Sequence, residues 1–267
     1  MGQDLKKASG FCYRSTLRFR LTSPFWRRFL QNGTGLFGFG RLLLVPLVLA
    51  SLGFRLGGED VPLSKDVISG IDKAQQCREQ KLAGYKARES YTVRNSHFEE
   101  IAQLEATVVY ERGFGKTYKV LSRSGPGFLQ KRVLDRILKE DAELSRDEER
   151  PHTLLTSTNY AMAVQGTEIF HGKQCYVIGL KPRVHSSSLI EGKAWIDAQD
   201  FSLLRIEGRP AASPSFWTGR PLIQREYILV DGLSFPRHSR ATSKGFFTGK
   251  SELNIDYSQY SVSLSSQ

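Results

Sequence analysis

The chain has 267 residues, of which 40% are hydrophobic and 24% are charged, so most of it can fold around a buried core. Its formal net charge is +11, but the basic excess is concentrated at the N-terminus, where residues 1–50 hold eight Lys/Arg and a single Asp. Nucleic-acid binding needs a basic face on the folded domain. The sequence therefore predicts no nucleic-acid partner.

An apolar run of roughly a dozen residues follows Arg41 and has the size of a signal-peptide core, since a spanning helix needs about 20 residues. We predict that residues 1–50 form a signal peptide, cleaved after Ala50, and that the protein is periplasmic. The alternative is an uncleaved N-terminal segment that anchors the protein to the inner membrane. Residues 51–66 contain Gly, Pro and Asp and are predicted to be a linker.

The three cysteines are Cys12, Cys77 and Cys175. Export to an oxidising compartment would permit Cys77 and Cys175 to form a disulfide. The alternative is that both are buried free thiols, which behave as small hydrophobic side chains.

Apolar and polar residues alternate along most of the chain after residue 84, as in antiparallel strands with one buried face. A helix is predicted at residues 67–83, and a second, with an apolar stripe, is inserted at residues 128–150. Nine or ten strands are predicted, with ranges that include 85–96, 99–112, 116–123, 158–170, 173–183, 194–196, 201–207, 222–230, 233–243 and 250–260.

The predicted fold class is α+β and mainly β. A single antiparallel sheet of about nine to eleven strands would be strongly curled, forming a half-barrel against the N-terminal and inserted helices. This domain is predicted to span residues 67–267. Such a shape either fills its interior with side chains or encloses a ligand cavity.

No catalytic motif is present. The five histidines are scattered, and the nucleophile elbow, GxGxxG and CxxC patterns are absent. Asp197 and Asp200 lie in a predicted hairpin loop, where their side chains serve the turn. We therefore predict a protein that is not an enzyme, without catalytic residues, metal or cofactor.

Aromatic residues are abundant, with 16 Phe, 10 Tyr and 3 Trp. Alternation places several of them on the predicted inner face of the sheet, beside small residues such as Ala106 and Ala194. These residues either fill the core or line an apolar cavity. The candidate cavity residues are Leu104, Val108, Tyr110, Tyr118, Val120, Tyr176, Trp195, Leu204, Ile206 and Tyr257.

Three segments resemble a known family. They are Gly192-Lys-Ala-Trp-Ile-Asp197 with Phe201-Ser-Leu-Leu-Arg-Ile-Glu207, then Pro214-Ser-Phe-Trp217, and Asp231-Gly-Leu-Ser-Phe-Pro236. The chain resembles the LolA/LolB superfamily over residues 70–260, and in particular the bacterial outer-membrane lipoprotein-sorting proteins.

This resemblance implies a half-barrel whose apolar cavity holds lipoprotein acyl chains or another lipid. The expected function is a non-enzymatic carrier in lipoprotein sorting or envelope lipid transport, with transient membrane contact or contact through the N-terminal segment. The alternative is an envelope sensor or scaffold with the same fold, a filled cavity and a protein partner.

Overall fold

The computed structural model describes residues 60–96, 101–214, 219–245 and 249–265, which belong to one compact unit. The predicted signal peptide at residues 1–50 lies outside the described residues. The helices are α1 (Asp60–Lys81), α2 (Gly127–Leu129) and α3 (Asp135–Leu144), with a π-helical turn (Gln130–Leu134) joining α2 to α3 and a 3-10 turn at Arg150–Thr153. Together, residues 127–144 form what is called the inserted helix below.

The strands are β1 (Leu82–Asn95), β2 (Ile101–Glu111), β3 (Gly115–Ser124), β4 (Tyr160–Phe170), β5 (Lys173–Pro182), β6 (Ile190–Asp197), β7 (Leu203–Pro210), β8 (Leu222–Val230), β9 (Leu233–Gly245) and β10 (Gly249–Leu264). They form one antiparallel sheet in the order β3-β2-β1-β10-β9-β8-β7-β6-β5-β4. The two edge strands, β3 and β4, are consecutive in sequence. The inserted helix therefore connects one edge of the sheet to the other and crosses one of its faces.

That face, called the inner face, is also covered by α1. The inserted helix is held to β3 by an ion pair between Lys116 and Asp141. It also reaches the loop before β6, where the Ser187 hydroxyl lies 3.5 Å from a Glu140 carboxylate oxygen. β3 and β6 are seven positions apart in the sheet, about 34 Å along a flat one, whereas α3 is only about 15 Å long. These contacts bring β3 and the loop before β6 to one short helix, which fits an open, half-barrel-like sheet.

Two clusters of buried side chains hold the helices against the inner face. Val67 and Ile71 of α1 pack with residues of β4 to β7, including Ile178 and Ile196. Leu134, Ile137 and Leu138 of the inserted helix pack with residues of β1, β2, β9 and β10. Full burial of each such side chain stabilises the fold by about 1.5–3 kcal/mol. The predicted fold class, an open half-barrel-like antiparallel sheet with an N-terminal and an inserted helix, is confirmed.

The β6–β7 hairpin differs from its prediction in one respect. Trp195 pairs with Arg205, but the next residue, Ile196, pairs with Leu203, so Leu204 is the extra residue of a β-bulge. The bulge lets Leu203 and Ile206 both pack in the α1 cluster together with Ala194 and Ile196. The prediction that Trp195 points inward is therefore wrong. Trp195 lies on the opposite, outer face.

Two contacts hold the Trp195 side chain on the outer face. Its indole Nε1 donates a hydrogen bond of 2.8 Å to Glu168, and the Arg205 guanidinium lies 5.0 Å from its ring centroid. The turn that follows is built by two carboxylates, as predicted. Asp197 accepts from the Gln199 amide at 2.8 Å, and Asp200 accepts from the Ser202 amide at 2.9 Å.

Two further predictions need correction. The first helix begins at Asp60, so residues 60–66 are helical and are not part of a linker. Cys175 is a free, fully buried thiol whose Sγ lies 3.4 Å from the Lys173 carbonyl oxygen at the start of β5. The Cys77–Cys175 disulfide that export would permit is therefore not formed, because the Cys175 thiol is free.

We predict that Gly192→Ala destabilises the fold by about 1–3 kcal/mol. Gly192 faces Gly208 across the β6–β7 ladder, and an added Cβ would lie 2.1 Å from the Glu207 carbonyl oxygen. The β-ladder would have to open, which urea unfolding measures.

The matched control is Gly127→Ala, where an added Cβ meets no atom within 4 Å. We expect its free energy of unfolding to stay within about 0.5 kcal/mol of wild type. Equal stability of the two variants would contradict the close approach of β6 and β7.

Candidate functional site: a cavity under the helices

A cavity of about 390 Å³ lies between the inner face and the segments that cover it. Its walls come from α1, the inserted helix, residues 150–155 and the inner face of the sheet. The apolar part of the wall includes Leu155, Leu203, Ile206, Ile223, Ala241, Leu253 and Ile255. The polar part includes Arg78, Lys116, Asp141, Arg150, Arg225, Ser239 and the tyrosines Tyr85, Tyr91, Tyr160, Tyr227 and Tyr257. The cavity thus has an apolar wall and a group of charged residues.

The first charged group joins the inserted helix to β3. Lys116 Nζ lies 2.7 Å from an Asp141 carboxylate oxygen, and the Tyr118 hydroxyl donates a hydrogen bond to the same carboxylate. Burial alone would raise the pKa of Asp141, but the Lys116 ammonium and this hydroxyl hold it below its usual value. The Asp141 side chain keeps 40% of its accessible surface and lines the cavity. The ion pair therefore fixes the inserted helix while facing the cavity.

The second group is the buried carboxyl of Glu89. It lies on the inner face of β1, is 2% exposed, and accepts a hydrogen bond from the Tyr91 hydroxyl. Burial raises the pKa of the Glu89 carboxyl despite the attraction of nearby Lys116. The carboxyl therefore holds its proton to a higher pH than an exposed glutamate does.

The third group, called the Glu79 cluster, consists of Glu79, Arg78 and Arg150. Arg150 makes two hydrogen bonds to the Glu79 carboxylate, of 2.6 and 2.9 Å, and Arg78 makes a third of 2.8 Å. Burial would raise the pKa of Glu79, but the two guanidinium groups lower it overall. The Arg150 guanidinium also lies 4.6 Å from the ring centroid of Tyr110. The cluster ties α1 to the segment that follows the inserted helix, at the wall of the cavity.

The ten predicted cavity residues are only partly brought together. Ile206 and Tyr257 line the cavity. Four others lie in the packed core or at its margin beneath the inserted helix: Leu104, Val108, Tyr118 and Val120. Tyr110 is buried, stacks on Tyr85 at 5.5 Å, and lines a neighbouring cavity of about 530 Å³ beneath α1. These positions are on the predicted inner face but belong to its packed parts.

The remaining three predicted residues lie away from the cavity wall. Tyr176 stacks on Phe201, with ring centroids 6.3 Å apart. Leu204 is the buried residue of the β7 bulge, and Trp195 lies on the outer face. The bulge explains why Leu204 in β7 and Trp195 in β6 were both assigned wrongly. Strict alternation places Leu204 and Ile206 on the same face.

Sequence reasoning missed the charged residues on the inner face of the sheet. Glu89 occupies an inward position between Ala87 and Tyr91, and Arg225 alternates with Ile223 and Tyr227. The alternation of residues in these strands therefore indicated that Glu89 and Arg225 lie on the inner face.

Within the described ranges, no three His, Cys, Asp or Glu side chains come close enough together to hold a metal ion. In the same part of the chain, every helix is too short or too polar to cross a membrane.

No protein-family model matches the chain, and no curated protein matches it. Solved structures do show similarity. A LolA superfamily protein from Nitrosomonas europaea aligns at 10% identity and a TM-score of 0.42, covering 75% of this chain and 93% of the other. An outer membrane lipoprotein-sorting protein domain from Vibrio parahaemolyticus aligns at 12% identity and a TM-score of 0.43, covering 77% and 94%.

A DUF1329 family protein from Desulfovibrio piger aligns at 12% identity and a TM-score of 0.39, covering 76% of this chain and 95% of the other. Each of these alignments has a TM-score below 0.5 and concerns the arrangement of strands and helices alone. The function proposed below rests on the cavity of this chain.

We predict that Glu89→Gln changes the pH dependence of stability. The folded-state pKa of Glu89 is raised above its ordinary value of 4.5, so the unfolded chain releases the proton first. Wild type therefore loses stability as the pH rises above 4.5 towards the folded-state pKa. Glu89→Gln has no carboxyl group to titrate, so its stability does not fall in this pH range. Its amide oxygen can still accept the hydrogen bond from the Tyr91 hydroxyl. We measure the free energy of unfolding of both proteins by urea at several pH values. As the pH rises, the variant should become more stable relative to wild type. A difference that is constant with pH would contradict a protonated Glu89.

Proposed function

We propose that this protein is a non-enzymatic periplasmic carrier that holds lipoprotein acyl chains or another lipid in the cavity under its helices. It would act in outer-membrane lipoprotein sorting or in envelope lipid transport. The observation that carries this proposal is the cavity of about 390 Å³, whose lining includes apolar side chains such as Ile206, Ile223 and Leu253. Its volume falls in the range of about 300–1,000 Å³ that is usual for small-molecule sites.

The mechanism would be reversible sequestration, in which no covalent bond is made or broken. Burying an acyl chain is worth about 0.8 kcal/mol per CH₂, or on the order of 10 kcal/mol for a long chain. Association entropy and ordering of side chains oppose this gain. The remainder is enough to hold a single chain and still allow its transfer to an acceptor.

The structure of the cover fits this mechanism. α1 and the inserted helix pack on the sheet through two separate apolar clusters, and the Lys116–Asp141 ion pair also ties the inserted helix to β3. The alternative, a sensor or scaffold that binds a protein partner, calls for an interior filled with side chains. An open, partly apolar cavity supports the carrier over that alternative.

The test is binding of a fluorescent fatty-acid analogue to the purified protein, with Ile223→Trp as the variant. Ile223 lines the cavity and is only partly buried in the core beside it. A tryptophan there would occupy part of the space, so we expect affinity to fall about tenfold or more.

The matched control is Trp195→Ala, which removes a large aromatic side chain from the outer face of the sheet. We expect it to leave affinity unchanged. Loss of binding in Trp195→Ala with full binding in Ile223→Trp would place the ligand on the outer face and contradict the carrier proposal. Circular dichroism of both variants checks that they are folded.

A further inference from the structure

One charged side chain of the cavity is not used by the packing of the helices. Arg225 belongs to a row of paired residues that crosses the inner face of the sheet. Its neighbours in that row are Ser239 and then Ile255 on one side, and Ile206 and then Ala194 on the other. Arg225 is therefore a cation set in a row of small or apolar residues, and it lines the cavity.

The partners of the Arg225 guanidinium are hydroxyl groups. Its Nε donates to the Ser239 Oγ at 3.3 Å, and the Tyr227 phenol lies beside it. Among the described residues, no Asp or Glu oxygen lies within 4.0 Å of it. Removing a cation from bulk water without a counter-charge costs free energy. A hydroxyl offsets part of that cost, and an anion would offset far more.

The nearby carboxylates are already engaged. Asp141 is paired with Lys116 at 2.7 Å, and the Glu79 cluster holds its own carboxylate between two arginines. Glu89 is bonded to Tyr91. Arg225 is therefore the inner-face cation that the described residues leave without a carboxylate in ion-pair range.

The surroundings of Arg225 define what would bind there. Ile206, Ile223 and Ile255 line the same cavity within one or two positions of it on the sheet. A guanidinium presents a planar fork of donors that matches two oxygens of a carboxylate or phosphate. A ligand with an anionic head and an apolar tail would satisfy both parts of the site at once.

We propose that Arg225 anchors the anionic head group of a single-chain amphiphile, a carboxylate or a phosphate, while the chain lies along the apolar wall. This inference rests on the proposed carrier function and names the class of ligand. Ser239 positions the guanidinium through its hydrogen bond to Nε.

The test compares three ligands of similar chain length: palmitate, palmitoyl lysophosphatidate and uncharged 1-hexadecanol. Each displaces a fluorescent fatty-acid analogue from the full chain. We expect wild type to bind at least one of the anionic ligands about 10- to 100-fold more tightly than the alcohol, the usual strength of a charged hydrogen-bonded contact. Which anion is preferred distinguishes a carboxylate site from a phosphate site.

Arg225→Met should abolish this preference and leave the affinity for 1-hexadecanol unchanged. Arg225→Lys retains the charge and should restore part of the preference. The matched control is Arg240→Met, since Arg240 is on the next strand, on the outer face, in an ion pair with Glu252. We expect it to keep the full preference.

The outcomes separate the two proposals. If the alcohol binds as tightly as the anions, or if the preference survives in Arg225→Met, the anchor is wrong while the carrier function stands. If none of the three ligands binds to wild type, both proposals are wrong.

Discussion

The structure depends on the need to cover one apolar face of a ten-stranded open sheet. The chain meets this need by joining its two edge strands through the inserted helix, which crosses the inner face, and by adding α1 beside it. These two helices, residues 60–81 and 127–144, cover only part of such a sheet. A cavity lies between the inner face and the segments that cover it. The candidate site is thus a direct consequence of the topology.

Polar contacts fix both helices beside the cavity. The Lys116–Asp141 pair fixes the inserted helix to β3, and the Glu79 cluster fixes α1 to the segment after it. These groups lie in the cavity wall, where they retain part of their accessible surface. Their burial is therefore incomplete, and the desolvation cost of each ion pair is smaller than in a closed core. This arrangement gives the cavity both an apolar wall and a charged one.

Much of the fold was predictable because alternation in the strands is strong. In β2, Leu104, Ala106 and Val108 alternate with polar residues, and all three are buried as the pattern indicates. The turn at Asp231-Gly232 was equally clear, since both residues have positive φ, as a two-residue hairpin loop requires. Such signals are local, and a single sequence contains them in full.

The site was less predictable because it depends on irregularities. One extra residue in β7, Leu204, reversed the assignment of Trp195. The early start of α1 and the free thiol of Cys175 depend on tertiary packing. Alternation also assigns a face without saying which part of that face is packed and which is open. For this reason Leu104 and Val108 were correctly placed inside but lie in the core, whereas Arg225 was overlooked.

The most direct measurement is a crystal structure of the protein with a fatty acid brominated near the end of its chain. The account predicts an anomalous bromine peak within the cavity, against the apolar wall formed by residues such as Leu253 and Ile255. A bromine peak on the outer face of the sheet, with the cavity empty of ligand, would contradict it.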